Sequence, residues 1–161
     1  DRKQQGLVID MSVRENMSLA ALRRDKRKGG FLDFAKESDI SQEMIKSMRV
    51  KTPSDDQVVR YLSGGNQQKV MFSKWLNTQP KIIILDEPTR GIDVGVKAEV
   101  HAMIQELAEK GLSIICISSD LPEVLAMSDR ILIMREGKQM GIVKSQNATP
   151  ESVMSLAMGQ N

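Results

Sequence analysis

The residues that decide the fold read "KIIILDEPTRGID" and span positions 81–93. The aliphatic run at 82–85 is too short for a helix and rich in isoleucine, which favours a buried strand. Asp86 and Glu87 follow at the carboxyl end of that strand, where α/β sheets place their ligands. Two adjacent carboxylates there suit Mg²⁺ and phosphate: Asp86 would hold the ion, mostly through water, and Glu87 would orient or deprotonate an attacking water. The alternative is a strand that simply ends in an acidic turn before Pro88.

Two more apolar runs follow, "LSIICI" at 112–117 and "RILIM" at 130–134. Continuous apolar runs of this length are typical of strands that are buried on both faces of a parallel sheet. Between the runs, apolar residues recur on one face of a helix over 93–110, and Gly111 suits the C-terminal cap of that helix. A second crossover helix is predicted at 120–127. The resulting β-α-β-α-β order predicts right-handed crossovers and an α/β sheet.

Helices and loops are predicted for residues 1 to about 60, which contain few aliphatic runs. A Ser-x-x-Glu box from Ser12 to Glu15 predicts a helix start, and residues 39–50 form a second helix candidate. Between them, "RRDKRKGG" at 23–30 is a basic loop. A solvated surface loop is its first interpretation, with contact to nucleic acid or lipid headgroups as the alternative.

A second motif, "LSGGNQQK" at 62–69, places the hydroxyl of Ser63 and two glycines where a helix begins. The start of a helix presents free backbone N–H groups and the positive end of the helix dipole, which is chemistry for binding an anion. The chain nevertheless contains no G-x-x-x-x-G-K-[ST] loop, the motif that cradles the phosphates of a nucleotide. A simpler alternative is that Ser63 only caps its helix.

Composition places the chain among ordinary soluble globular proteins. With 161 residues, 40% of them hydrophobic and 27% charged, it is long enough to bury a core. The net charge of +2 is too small to imply nucleic-acid binding by itself. The only cysteine, Cys116, lies inside an apolar run, which fits a reducing compartment without disulfides. Because the chain starts "DRKQQG", without a methionine or a signal-peptide pattern, we expect it to be part of a longer protein.

The two motifs occur in one register, since "LSGGNQQK" lies about twenty residues before "IIILDEPT" and "RGIDVG" follows directly. This arrangement resembles the nucleotide-binding domain of ABC transporters, with a signature motif at 62–69, a Walker B motif at 82–87 and a D-loop around 91–93. Together with "DRKQQGLV", "SVRENMSL", "VKTPS" and "SSDLPEVLAMSDRI", it resembles the second, C-terminal ATPase half of bacterial sugar-import ATPases of the ribose, galactose and xylose type. The resemblance runs from residue 1 to about 158.

In that family, each ATP is sandwiched between the Walker motifs of one domain and the signature motif of another. The resemblance implies that Ser63 donates its hydroxyl to the γ-phosphate of a partner's ATP, and that the N–H groups of Gly64 and Gly65 approach it closely because glycine has no Cβ. Asp93 in the D-loop would contact the partner domain; alternatively it is only the N-cap of its helix, and both roles are compatible. The implied nucleotide contacts are Ser63, Gly64, Gly65, Asn66, Gln67 and Asp93.

The resemblance also implies what the chain lacks. In the family, the Walker A strand, the P-loop and the lysine that holds the phosphates lie well before the signature motif, and they are absent here. The expected fold is therefore α/β, a partial P-loop NTPase core with a parallel sheet plus an α-helical subdomain. The helical signature subdomain is expected at 1–78, and the core fragment with Walker B, D-loop and switch region at 79–161. Lys69 would either add charge near the phosphate or lie in solvent.

The family usually places a histidine after the strand that follows Walker B, and here "SDLPEV" puts Ser119 at that position. A neutral hydroxyl cannot supply the charge or the proton transfer of an imidazole. We therefore hypothesise that the site with Asp86 and Glu87 is hydrolytically impaired, while the site that the signature motif completes is the productive one. In the same stretch, Asp120 and Glu123 form a predicted capping box at a helix start.

The function that the resemblance implies is ATP binding and hydrolysis, with ATP and Mg²⁺ as cofactors, in the energy-coupling subunit of a bacterial sugar importer. The expected partners are the N-terminal ATPase half of the same polypeptide, a transmembrane permease and, indirectly, a periplasmic or extracellular substrate-binding protein, but no nucleic acid. The expected location is peripheral, on the cytoplasmic face of the cell membrane.

Two alternatives come from different classes of protein. One is a catalytically degenerate regulatory half, which only completes the partner's ATP site through its signature motif. The other is an ATPase of DNA repair or chromosome structure, which would carry long coiled-coil heptads, and none occurs in this sequence. For the isolated chain we expect no ATPase activity, weak nucleotide binding and self-association through an open sheet edge.

Overall fold

The computed structural model describes residues 6–159, and within that range it contains seven α-helices and four β-strands. The helices are α1 (Val13–Ser18), α2 (Leu22–Asp25), α3 (Phe34–Ser47), α4 (Gly64–Leu76), α5 (Val94–Glu109), α6 (Leu121–Met127) and α7 (Pro150–Met158). The strands are β1 (Ile82–Asp86), β2 (Ser113–Ile117), β3 (Arg130–Arg135) and β4 (Lys138–Lys144). The "DRKQQ" of the family resemblance and the last two residues of the chain lie outside the described residues.

The chain forms two compact units. Unit 1 comprises the residues up to 83 together with 89–113, and unit 2 comprises 84–88 together with the residues from 114 onward. The boundary at residue 78 between a helical subdomain and a core fragment stays a prediction. Within the described part of the chain, no helix is both long and apolar enough to span a bilayer.

Unit 1 is built around α1, which packs against α3 and α4. The helix begins where the sequence predicts: the Ser12 hydroxyl accepts from the Glu15 N–H at 3.2 Å, and the Ser12 N–H donates to Glu15 Oε2 at 2.8 Å. This reciprocal box satisfies two N–H groups that the first turn would leave unpaired, so the prediction is confirmed. Side chains of unit 1 that are no more than 2% exposed include Val13, Met17, Val59, Val70, Phe72 and Val100.

The predicted helix over 93–110 is confirmed as α5, with Asp93 at its N-cap position. Gly111 follows the helix with a φ of +91° and donates its N–H to the carbonyl of Ala108 at 2.9 Å. Glycine adopts this left-handed conformation without strain, which explains why the helix ends there. The chain then enters β2, which pairs in parallel with β1 to form a two-stranded sheet.

The burial of β1 differs from the expectation. Ile83 and Leu85 are each 7% exposed, whereas Ile82 is 59% and Ile84 is 64% exposed. The prediction of a strand buried on both faces is therefore wrong for the described residues. The physical reason is that only one face of this short two-stranded sheet is packed within the described part of the chain, so the alternate isoleucines remain in solvent.

The third predicted strand, "RILIM", does not extend the parallel sheet. It forms β3, which pairs antiparallel with β4 in a separate two-stranded sheet, so that part of the prediction is wrong. The two strands meet through a two-residue turn, Glu136 and Gly137, whose φ angles are +49° and +76°. Two positive φ angles match the right-handed twist of a hairpin, and Gly137 supplies one of them at no steric cost.

Unit 2 encloses a small apolar core around this hairpin. Ile131, Ile133 and Val153 are its buried residues, with Val153 contributed by α7. At the start of α7, Thr149 is the N-cap and Pro150 lies in the first turn. The Thr149 hydroxyl accepts the Ser152 N–H at 3.1 Å, which fixes the helix that covers one face of the hairpin.

Candidate functional site

The signature motif forms the start of α4 in unit 1. Ser63 occupies the N-cap with an extended backbone, at a φ of −60° and a ψ of +156°, and its side chain is exposed. The Ser63 hydroxyl oxygen accepts the N–H of Asn66 at 3.5 Å, a weak capping bond. Ser63 is therefore a cap, as the simpler alternative has it. It is also an exposed hydroxyl at the positive end of a 13-residue helix, as anion binding would require.

The side-chain amide of Asn66 is held in one orientation. Its Oδ1 accepts the backbone N–H of Lys51 at 2.8 Å, and its Nδ2 lies 2.9 Å from the hydroxyl oxygen of Ser63. A backbone N–H can only donate, so Oδ1 must face Lys51 and the NH₂ group must face Ser63. Ser63 then accepts from Asn66, which leaves its own proton for an acceptor outside the protein.

Gly65 in α4 faces Val96 in the first turn of α5. It is buried, and a Cβ at this position would overlap the side chain of Val96. Any other residue would push the two helices apart, since the clash involves a branched side chain near its own backbone. Gly64 is half-buried and occupies the first helical position, next to Ser63. Packing against Val96 within unit 1 therefore explains why position 65 is a glycine.

Lys69 is neither near solvent nor free to reach a phosphate. Its side chain is only 8% exposed, and its Nζ donates to Glu99 Oε2 at 2.7 Å and to the carbonyl of Arg49 at 3.2 Å. Both interpretations from the sequence are thus corrected. The hydrogen bond from Lys69 lowers the pKa of the Glu99 carboxyl below its ordinary value. The ion pair joins α4 to α5, two turns of helix beyond the cap.

Gln67 is oriented into unit 1. It is 5% exposed, and its Nε2 donates to the carbonyl of Val59 at 3.2 Å. Its Oε1 is buried and accepts no hydrogen bond in the described part of the chain. The role of Gln67 as a nucleotide contact stays a prediction.

Asp93 and α5 belong to the same unit as the signature motif. The Asp93 carbonyl accepts the Lys97 N–H at 2.9 Å, as an N-cap residue does, but the Asp93 side chain makes no capping bond and is exposed. The carboxylate is therefore available for a contact outside the helix. The residue before this turn, Gly91, has a φ of +70°, a left-handed conformation that favours glycine.

The two carboxylates after β1 lie in unit 2. Asp86 is the exposed last residue of the strand, and Glu87 adopts a φ of +49°. Glu87 donates its N–H to the carbonyl of Ile117 at 2.8 Å, and its Oε1 accepts the N–H of Ser119 at 2.9 Å. A positive φ is uncommon for a residue with a Cβ and is characteristic of functional turns. Ser119 thus meets Glu87 through its backbone N–H, and its role at the histidine position stays a prediction.

The neighbouring Ser118 was missed by the sequence reasoning. Its hydroxyl donates to Glu123 Oε2, and its oxygen accepts the N–H of Asp120 at 3.0 Å. Asp120 in turn caps α6 by accepting the Glu123 N–H at 3.3 Å, which is one half of the predicted capping box, while its own N–H donates to Ser118. The buried Glu123 carboxylate is 5% exposed, so Ser118 satisfies a group that would otherwise be costly to bury.

Cys116 is the only cysteine of the chain and lies in β2. Burial, followed by the nearby Glu123 and Glu87 carboxylates, raises the pKa of the Cys116 thiol to about 11. The thiol therefore stays protonated at neutral pH and is a poor nucleophile. Among the described residues, no group of three or more His, Cys, Asp or Glu side chains could hold a metal ion. Asp86 alone fits Mg²⁺ only as one ligand among water and phosphate oxygens.

The comparisons with known proteins agree with these motifs. The ABC transporter family profile matches residues 2–90, which is more than half of the chain. The chain belongs to the ABC transporter family. The family match ends just after the Walker B carboxylates and includes the whole signature motif.

Curated relatives cover the full length of this chain. It is 51% identical over 163 residues to the arabinose import ATP-binding protein AraG of Paraburkholderia xenovorans, covering 100% of this chain and 31% of that protein. It is 50% identical over 161 residues to the ribose import ATP-binding protein RbsA of Oceanobacillus iheyensis, covering 100% of this chain and 32% of that protein. The chain thus spans about a third of the length of these relatives.

Solved structures confirm the fold class. An ATP-binding cassette of an ABC transporter in its ADP conformation matches with a TM-score of 0.75 and 22% identity, covering 94% of this chain and 64% of that one. A nucleotide-free ATP-binding cassette matches with a TM-score of 0.77 and 21% identity, covering 96% and 63%. The fold is therefore that of an ABC ATPase in the P-loop NTPase class, mixed α/β with a small parallel sheet.

The structure brings the predicted residues together in two groups. One lies in unit 1, where Ser63 and Asn66 are bonded and α4 contacts the α5 helix that follows Asp93. The other lies in unit 2, where the Glu87 carboxylate accepts a hydrogen bond from the Ser119 N–H. The residues that hold the first group, missed by sequence reasoning, are Lys51, Val96 and Glu99. Each is 15 or more residues from its partner, so no local pattern signals it.

Proposed function

We propose that this chain belongs to the ATP-hydrolysing subunit of a bacterial sugar importer, and that it is the C-terminal part of the second ATPase half. In this role the signature motif at the start of α4 binds the γ-phosphate of an ATP held by the N-terminal half. The observation that carries the proposal is the fixed Asn66 amide, whose Nδ2 donates to the Ser63 oxygen and so leaves the Ser63 hydroxyl able to act as a donor. The curated relatives named for arabinose and ribose import supply the class of substrate.

The chemistry of the donated site follows from α4. The positive end of the helix dipole favours a phosphate at the start of α4, and Ser63 adds a hydrogen bond from its hydroxyl. The short side chain of Asn66 serves the same purpose indirectly, by accepting from Lys51 and donating to Ser63. Asp93, with its side chain free of the helix cap, would contact the partner domain beside this site.

The carboxylates after β1 have a different proposed role. Asp86 is exposed at the end of β1 and would hold Mg²⁺ through water, together with phosphate oxygens. Bound Mg²⁺ would neutralise charge on the phosphates. Glu87 would orient the attacking water, but one of its oxygens already accepts the Ser119 N–H, and Ser119 has no imidazole to assist. This contact supports the hypothesis of a site that hydrolyses ATP poorly.

The test is single-turnover ATP hydrolysis by the full-length ATPase assembled with its permease. Ser63→Ala removes one hydrogen bond to a charged group and should lower the rate about tenfold or more. Glu87→Gln should leave most of the hydrolysis, whereas the matching Glu→Gln change in the N-terminal half should abolish it. An unchanged rate in Ser63→Ala overturns the role of the signature motif, and equal loss in the two Glu→Gln variants overturns the asymmetry.

A second candidate is a regulatory half that binds nucleotide without turning it over. The hydrogen bond from the Ser119 N–H to Glu87 favours a regulatory half over a fully active second ATPase site. The assay that separates the two is Ser119→His in the full-length protein with the N-terminal half inactivated. Recovery of hydrolysis would identify a site that lacks only the imidazole, while no recovery would identify a half that serves only its partner.

The partners and location follow as parts of the same proposal. The ATPase would lie peripherally on the cytoplasmic face of the membrane, bound to a permease that receives its substrate from a substrate-binding protein.

For the chain alone we expect no ATPase activity and only weak binding of Mg-ATP, because it carries no P-loop. Isothermal calorimetry that gives a micromolar Kd for Mg-ATP would contradict this. Because the P-loop strand is not in this chain, we expect self-association through an open sheet edge. A monomer at high concentration in light scattering would count against it.

A further inference from the structure

A cationic loop occupies residues 23–36 of unit 1, from α2 to the first turn of α3. It carries six Lys and Arg residues against two Asp residues, in a chain whose formal net charge is only +2. Both aspartates are engaged in ion pairs within the loop. The cations outside these pairs, all of them exposed, are Arg23, Lys26 and Lys28.

The same loop exposes large apolar side chains. Phe31 is 75% exposed, Phe34 is 68% and Leu32 is 43%. Two of the three phenylalanines of the chain therefore lie in solvent within four residues of each other, in the same loop as the exposed Lys26 and Lys28. An apolar group of this kind, surrounded by cations, marks an interaction surface because leaving it in water has a free-energy cost that only a partner removes.

The loop is held in shape by its own contacts. The Arg27 N–H donates to the carbonyl of Phe31 at 2.8 Å, and the Arg27 side chain pairs with Asp33 at 2.9 Å. Gly29 and Gly30 have φ angles of +93° and +88°, which reverse the chain between these bonds. A Cβ added at Gly29 would lie 3.4 Å from the Phe31 ring. Phe31 therefore lies in a turn that the contacts of Arg27 with Phe31 and Asp33 hold closed.

We propose that the cationic loop, residues 23–36, binds the surface of a membrane that contains anionic lipid, with Phe31 and Phe34 inserted among the headgroups. Lys26 and Lys28 would meet the negative surface, and the phenyl rings would leave water for the boundary of the acyl chains. Each Lys or Arg near such a surface contributes to binding, and the aromatic side chains supply the apolar anchor that charge alone lacks. The proposal does not depend on nucleotide binding and can hold or fail separately.

A single-stranded nucleic acid is the other partner that combines negative charge with a preference for aromatic rings. The arrangement of charge favours lipid. Nucleic-acid binding uses a basic groove that follows several nucleotides, whereas this positive charge is confined to one loop of 14 residues. Leu32, exposed beside the two phenylalanines, has no ring to stack on a base but adds apolar area for insertion.

Flotation of the chain with protein-free vesicles tests the proposal, because bound protein rises in a density gradient while aggregated protein does not. The chain should float with vesicles of phosphatidylglycerol and phosphatidylcholine and stay behind with phosphatidylcholine alone. Lys26→Gln with Lys28→Gln should lower the partition coefficient about thirtyfold. Phe31→Ser with Phe34→Ser should lower it about tenfold or more.

The matched control is Lys46→Gln with Lys110→Gln, which removes the same charge from exposed lysines outside the loop. It should change the partition coefficient less than about threefold. Circular dichroism on every variant confirms that it is folded. Three results would overturn the proposal: no flotation of the unaltered chain with anionic vesicles, equal loss in the control, or displacement from vesicles by a single-stranded oligouridine that binds through the same lysines and phenylalanines.

Discussion

The start of α4 and the carboxyl end of β1 carry the two predicted sets of functional residues, and they are organised differently. At the start of α4, Asn66 is fixed by Lys51 and a buried glycine packs on the next helix. At the end of β1, Asp86 is exposed and Glu87 has a positive φ. Packing within unit 1 therefore determines the geometry of the first set, whereas the positive φ of Glu87 and its hydrogen bonds with Ile117 and Ser119 determine that of the second.

This difference indicates which of the two sets is preorganised for a ligand. A group that is held by its neighbours before a ligand arrives loses little conformational entropy on binding. Ser63 has such support, since Asn66 fixes which partner its hydroxyl can use. Glu87 has less, because its side chain accepts from the exposed backbone N–H of Ser119. The comparison predicts large effects when the contacts behind α4 are altered and small ones around Glu87.

The largest effect is expected for Gly65→Ala. The new Cβ would overlap Val96, and we expect a loss of about 2 kcal/mol in the free energy of unfolding, measured by urea denaturation. Gly95→Ala is the matched control, since a Cβ there meets nothing within 4 Å, and it should be neutral or slightly stabilising. In a Val96→Ala background the cost of Gly65→Ala should almost vanish. A full cost in that background would show that the helix contact is not the cause.

The ion pair between Lys69 and Glu99 should give the next largest effect. Glu99→Gln leaves a buried ammonium with only a carbonyl partner and should cost about 1–2 kcal/mol. Lys69→Met removes the charge itself and should cost less. The control is Arg49→Gln, which breaks an exposed pair with Glu106 and should cost less than about 0.5 kcal/mol.

The pH dependence of that ion pair has a definite sign. The pKa of Glu99 is lowered in the folded chain, so its contribution is present above the unfolded pKa and is lost as the pH falls through the folded pKa. The unaltered chain and Glu99→Gln should therefore differ in urea denaturation at neutral pH and converge in acid. A difference that persists in acid would assign the effect to packing instead.

Strain at the end of β1 predicts a gain in stability. Glu87→Gly relieves a positive φ and should raise the free energy of unfolding by about 0.5–1 kcal/mol in a thermal or urea transition. Glu136→Gly is the control, because Glu136 has the same φ of +49° in the β3–β4 turn. A smaller gain at Glu87 than at Glu136 would measure what the bond to Ser119 contributes. A loss of stability in both variants would reject strain as the explanation.

The sequence predicts the local features of this molecule better than its long-range ones. The capping box at Ser12, the end of α5 at Gly111 and the Asp120 cap of α6 all follow from residues within four positions of each other. The pairing of β3 with β4 was missed because an apolar run does not reveal its partner strand. Lys69 was misjudged for a similar reason, since its partner Glu99 lies 30 residues away.

The smallest effect is expected for Ser119, and the adjacent Ser118 is its comparison. Ser119→Ala should change the free energy of unfolding by less than about 0.5 kcal/mol, because Ser119 meets Glu87 through its backbone N–H, which alanine retains. Ser118→Ala should cost about 1 kcal/mol or more, since it leaves the buried Glu123 carboxylate without a hydroxyl donor. A cost at Ser119 as large as that at Ser118 would mean that the Ser119 hydroxyl has a structural role. The replacement of an imidazole by Ser119 would then affect stability as well as catalysis, and Ser119→His would no longer test catalysis alone.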